Sequence, residues 1–336
     1  VVVSAPDAVL SALTIRQAWS GVWIDRANRI SIDKLNFVGL ADFPFWQRGE
    51  GVRVTGSNDI QLRAIDLAAT EDGVYLEQCR DVVLTNVKVE EARYALHSMF
   101  SSDGRVAGLQ SRMTVAGVMI MESSHWSITA SSFLEGYRIG SAGVREIRTK
   151  GIRIQTCHIG RQAAGIELLD TRDGLFEGNL IEENGIAWTW GGDNSGTFAQ
   201  ENTHRGNLMD VAGTEPKERD LNDSEAHHHG PAVALRPTVL PSSASIRPTF
   251  DRNYWDGWHG LDLNGDGTGD TPYRFDAGFA NQTASRPWSG IFLGSPLSEL
   301  SQTLPGGEIL DRRPLTAPPR RSSADSRPTQ GSSGRS

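Results

Sequence analysis

Two short segments of this 336-residue chain carry side chains able to hold a soft metal ion: His97-Ser98-Met99 and, about 22 positions on, Met119-Ile120-Met121. In an extended strand every second residue points the same way, so His97 and Met99 share one face, as do Met119 and Met121. Imidazole and thioether groups are neutral, polarisable donors that suit Cu(I) better than zinc or calcium. Of five methionines in the chain, three fall in these two segments. The bland reading is apolar filler under a loop, a role methionine also performs well. His125, in the turn after Met121, is either a further approach to the same metal or a surface histidine. A second candidate is Asp262-Leu263-Asn264-Gly265-Asp266-Gly267, followed by Asp270. Oxygen ligands at alternate positions around a tight turn are how Ca²⁺ loops gather their donors. The bidentate glutamate of a complete EF-hand loop is missing, and carboxylates capping their own backbone are the other reading. His227-His228-His229 is either a weak metal-binding run or a solvated tract.

What must position the first pair is a repeat. Gly51-Val52-Arg53-Val54 is followed by Ile60, Leu62, Ile65 and Leu67, and the pattern returns about every 22 residues. It reappears as Gly73-Val74-Tyr75-Leu76, Ala95-Leu96, Gly117-Val118-Met119-Ile120, Gly143-Val144 and Gly165-Ile166-Glu167-Leu168. Gly21-Val22-Trp23-Ile24 precedes them, with an insertion of about eight residues around Ala41–Arg48; another of about four precedes Gly143. Apolar residues two apart have the period of a strand with one buried face, and no 3.6 period competes. One coil cannot bury its inner face alone, so coils must stack. The predicted fold is all-β: a single-stranded right-handed parallel β-helix, a solenoid of about 22-residue coils with a C-terminal extension. Val52, Val74, Leu96, Val118, Val144 and Ile166 should form one inner column, which leaves His97, Met99, Met119 and Met121 facing solvent or a partner. Cys157 falls on the inward column of Ile65 and Val87, and Cys79 lies about four coils away, or ~19 Å at ~4.8 Å per coil. That exceeds the ~7 Å Cα limit for a bridge, so both should be free thiols.

The coils occupy residues 1–212. Residues 213–250 form a polar, proline-rich excursion and 251–294 an Asp/Asn/Gly-rich segment. A docking tail follows over 295–315, and 316–336 should be disordered. Ser295-Pro296-Leu297 starts like a helix, with an apolar stripe of Leu297, Leu300 and Leu304, too short to stand alone. A net charge of −8 and the lack of any basic stripe exclude a nucleic-acid partner. No Walker loop, Cys-x-x-Cys or His-Glu-x-x-His motif is present, nor an acid–base cluster on one strand column. No run approaches the ~18 apolar residues of a membrane span. No signal peptide opens the chain, and its first residues already read as mid-repeat, so it is expected to be truncated.

These residues resemble the NosD family, the periplasmic β-helix maturation factors of nitrous oxide reductase. The resemblance is carried by Tyr94 through Phe100, Gly117 through Met121, Gly206-Asn207-Leu208-Met209, and Asn253-Tyr254-Trp255 with the Asp262–Tyr273 block. Ser295-Pro296-Leu297 and Asp311-Arg312-Arg313-Pro314-Leu315 look like the family's C-terminal tail. Membership implies a periplasmic, non-enzymatic, copper-handling role. It also implies partners: an ABC-type ATPase with its membrane subunits, a copper-donating lipoprotein, and nitrous oxide reductase as recipient. The protein would then be peripheral to the membrane through the transporter. The other classes open to such a solenoid are a polysaccharide lyase or hydrolase and a surface structural protein.

Overall fold

The repeat winds into a right-handed parallel β-solenoid of about ten coils, all-β as the periodicity predicts. The computed structural model describes residues 1–137, 140–213, 246–274 and 310–319. Leu297, Leu300, Leu304, His227-His228-His229 and most of the polar excursion lie outside the described residues.

Successive rungs pair in register. Val52, Val74, Leu96, Val118, Val144 and Ile166 follow one another up the inner face, all fully buried. Each buried side chain of this kind contributes roughly 1.5–3 kcal/mol. A one-residue slip would turn the whole column to solvent, so register is strongly specified. The leading glycine of the repeat is a packing requirement: a Cβ on Gly73 would sit 2.7 Å from the carbonyl oxygen of Ala95 on the next rung. The bend between the second and third faces falls on single left-handed residues, among them Lys34, Ala64, Asn86, Ala130 and Thr156. Each such non-glycine bend costs ~1–2 kcal/mol. Rung hydrogen bonds hold it, as when Ala130 N–H donates to Gln155 O at 3.3 Å.

The column begun by Leu35, Ile65 and Val87 changes character towards the C-terminus. Cys157, fully buried, donates its N–H to Asn179 Oδ1 at 2.9 Å. Asn179 donates in turn to Asn202 at 3.0 Å, Asn202 to Asn253 at 3.0 Å, and Asn253 to Asp311 at 2.8 Å. Asp311 is fully buried and also accepts from Arg252 N–H at 3.1 Å and Trp255 Nε1–H at 3.0 Å. Leu315 N–H donates to Asn253 O at 2.9 Å. Thus the Asp311–Leu315 segment, which the sequence places in a docking tail, closes the last coil of its own chain. Cys79 stands at a corner where its N–H donates to Ser101 Oγ at 3.0 Å; both cysteines are buried and neither forms a disulfide. His204 lies inside the same end, stacked on Trp255 with ring centroids 3.7 Å apart and accepting from Trp188 Nε1–H at 2.8 Å. Burial pushes its pKa down to about 3, against the Tyr254 carbonyl, which favours the charged form.

Candidate metal centre

The strand pairing that sets the inner column also sets the outer one. His97 pairs with Met119 and Met99 with Met121 on adjacent rungs, so one imidazole and three thioethers stand in a two-by-two array with rungs ~4.8 Å apart. Arg145 and Ile147 lie on the rung below, and Tyr75 and Glu77 on the rung above. The array therefore sits on the sheet's outer face, as the alternation predicts.

It does not sit in solvent. His97 and Met121 are each 2% exposed, and Met99 and Met119 are also buried. The three methionines belong to a second apolar cluster, separate from the solenoid core, with Tyr75, Tyr94, Val115, Ala116, Ile147 and Leu169. Phe45 and Tyr137 pack against this cluster, their rings meeting edge-on with centroids 5.8 Å apart. Phe45 comes from the insertion after the second coil, and Tyr137 precedes Gly143, where the second insertion falls. The sequence exposes this face because insertions carry no period; the structure folds one of them back over it.

A charged network missing from the sequence reading orients the imidazole. Asp72 Oδ2 lies 2.8 Å from His97 Nδ1, and Arg93 donates to both Asp72 carboxylate oxygens at 2.9 and 2.7 Å. Burial alone would raise the Asp72 pKa, but Arg93 and then His97 outweigh it and hold the carboxyl below the ordinary range. Arg93 also lies 3.1 Å from Glu71, whose carboxyl burial pushes up to about 8 against the pull of Arg93. Tyr75 and Tyr94 present ring edges to His97 with centroids 5.1 and 4.9 Å away, and Tyr75 donates its hydroxyl to Met99 Sδ at 3.7 Å. Arg145, beneath Met119, is buried in an ion pair with Glu167. In neutral His97, an Nδ1–H donating to Asp72 leaves the lone pair on Nε2, the arrangement metal-binding histidines commonly use. Glu71-Asp72 precedes Gly73 and reads as a turn; the only signal that would have found Asp72 is its register partner, Tyr94, three residues before His97.

The remaining candidates are placed differently. Among the described residues no three His, Cys, Asp or Glu side chains converge on a metal position, so a metal here depends on the thioethers. Those donors fit Cu(I): soft, neutral and shielded from water. In the Asp262 loop, Asp262 accepts from Gly265 N–H at 2.7 Å and Gly267 N–H at 2.9 Å. Asp266 accepts from Thr268 N–H at 2.8 Å, and Asn264 Oδ1 from Asp266 N–H at 2.9 Å. Asp270 accepts from Leu263 N–H. Each of the four side chains of the calcium candidate thus has an oxygen that accepts from the loop's own backbone. His125 is a surface residue 3.6 Å from Asp103, apart from the array.

The family model described as "Periplasmic copper-binding protein (NosD)" matches residues 26–225. The chain belongs to the NosD family. All four donors, Asp72, and both insertions that break the repeat fall within the matched region. No curated relative matches the chain. Among solved structures, the periplasmic alginate epimerase AlgG, in a mutant form, is similar at 14% identity over 76% of this chain and 72% of that one. Its TM-score is 0.34, a level of likeness that assigns neither substrate nor chemistry.

Proposed function

We propose that this NosD-family chain is a periplasmic, non-enzymatic copper-handling factor. It takes up Cu(I) transiently on His97, Met99, Met119 and Met121 and, with an ABC-type transporter, matures the copper sites of nitrous oxide reductase. The observation that carries the reading is the in-register pairing of His97 with Met119 and Met99 with Met121 inside the family-matched region. Copper is cargo here, received from a copper-donating lipoprotein and passed on, which suits neutral donors that need not release a proton to bind. Asp72 keeps His97 in the tautomer that offers Nε2.

The test is made in cells. A Met99→Leu/Met121→Leu variant keeps apolar volume and removes two sulfurs. It should accumulate at the parent's level yet leave nitrous oxide reductase copper-deficient. A fully loaded reductase would contradict the reading.

Leu297, Leu300 and Leu304 are the proposed contact with the membrane subunit. Truncating the chain after Gly294 would also remove Asp311 and uncap the last coil. Replacing the three leucines with serine, with residues 310–319 intact, should abolish co-purification with the transporter and leave the solenoid folded. Retained co-purification would assign the stripe to packing within the chain.

A further inference from the structure

A buried array needs a way in, and the eight-residue insertion packs against its cluster through Phe45. Its centre is a single 3₁₀ turn over Phe45–Gln47. Between Ala41 and Arg48 the backbone–backbone bonds are local among the described residues: Phe43 N–H to Leu40 O, Gln47 N–H to Pro44 O and Arg48 N–H to Phe45 O. What ties the segment down is a pair of side chains. Arg48 donates to Phe43 O at 2.6 Å and Ala41 O at 3.0 Å, folding the loop, and its Nη1 reaches Glu91 O, two rungs along, at 3.1 Å. Trp19 Nε1 donates to Gln47 O at 3.1 Å. Phe45 packs on the methionine cluster, while Phe43 and Trp46 on the same segment face solvent. A segment with few bonds to its scaffold opens locally at a free-energy cost far below global unfolding.

We propose that the insertion, Ala41 to Arg48, is a lid over the methionine–histidine array: Phe45 is its plug, and Arg48 is the positioning residue that latches it shut. The lid takes its purpose from the copper reading above: closed, it keeps water and oxidants from the thioethers; open, it admits and releases the ion. Neither Phe45 nor Arg48 supplies a donor, so both change the rate of exchange and leave the bound state's ligands in place.

The experiment is site-resolved oxidation of methionine by hydrogen peroxide, read by peptide mass spectrometry on the full chain without metal. Thioether oxidation follows exposure, and Met113, 37% exposed and outside the array, serves as the internal standard. In the parent, Met99, Met119 and Met121 should oxidise at least about ten-fold more slowly than Met113. Arg48→Leu removes the latch without adding a sulfur, a charged hydrogen bond worth on the order of a ten-fold shift in the opening equilibrium. Phe45→Ala removes the plug and leaves the latch. Each should speed oxidation of the three array methionines about ten-fold with Met113 unchanged. Array methionines that oxidise as fast as Met113 in the parent, or rates unmoved in both variants, would overturn the lid. A variant that unfolds is recognised by a rise at Met113, and the other variant then decides. The metal arm uses Cu(I) held by a chromophoric chelator: both variants should take it up about ten-fold faster, at an equilibrium affinity within about three-fold of the parent. A parent that takes up no Cu(I) sinks the copper reading alone, because the oxidation result stands without metal.

Discussion

Glu146 is the side chain that the repeat accounts for least. It occupies an inner position between Ile120 and Leu168 on the neighbouring rungs, fully buried, with Thr149 donating its hydroxyl at 3.1 Å. Burial pushes its carboxyl up to about 8, against the Thr149 and Thr171 hydroxyls, which pull it back. The folded state therefore favours the protonated acid. Its contribution is intact below the unfolded value of 4.5 and is lost as pH rises from there through about 8. Glu146→Gln keeps the shape and the hydrogen bond without the charge. Thermal unfolding followed by circular dichroism should give matching stabilities near pH 4 and an advantage of roughly 5 kcal/mol for the variant near pH 9; parallel pH profiles would contradict this. At this scale the sequence showed some roles and hid others. The parity of His97, Met99, Met119 and Met121 was legible because alternation in a strand is a local property. Asp72 was not: its function lies in a contact with His97, 25 residues away, between rungs, and an acidic pair before a glycine carries no trace of it.

Elements were legible where they repeat and opaque where they do not. The register of six successive inner residues was readable because a 22-residue period fixes which positions stack. The cap was hidden because it is made once. Asp311 reads as part of a polar tail, yet it is the terminal acceptor of the ladder through Asn253, Asn202 and Asn179. Asp311→Ala would leave the buried Asn253 N–H and Trp255 indole without their acceptor and remove the partner of the Arg252 N–H. The expected loss is about 3 kcal/mol or more in urea unfolding, with amides of the last coil losing hydrogen-exchange protection before those near Val118. Unchanged protection in the last coil would remove the capping role. The insertions follow the same logic in reverse: the repeat reveals where they interrupt it, and only the folded chain shows the first of them lying over the methionine cluster.

The whole molecule is a one-dimensional stack in which each coil supports its neighbours, so an outer face is free to vary while the inner columns hold the fold. Most coils present ordinary polar groups there; two adjacent ones present His97, Met99, Met119 and Met121. The net charge of −8 does not select a metal; the proposal of copper rests on the soft donor set. Loss of metal affinity on mutation therefore has to be separated from loss of fold, which the stack makes simple, since neither methionine of the double variant lies in the solenoid core. The decisive measurement is a competition titration of Cu(I) against a chromophoric chelator, run on the parent and on Met99→Leu/Met121→Leu under reducing conditions. The parent should bind Cu(I) at the array, and the variant, folded and with an unchanged circular dichroism spectrum, should lose at least about ten-fold in affinity. Equal affinity in the two proteins would contradict the assignment of copper to these four residues.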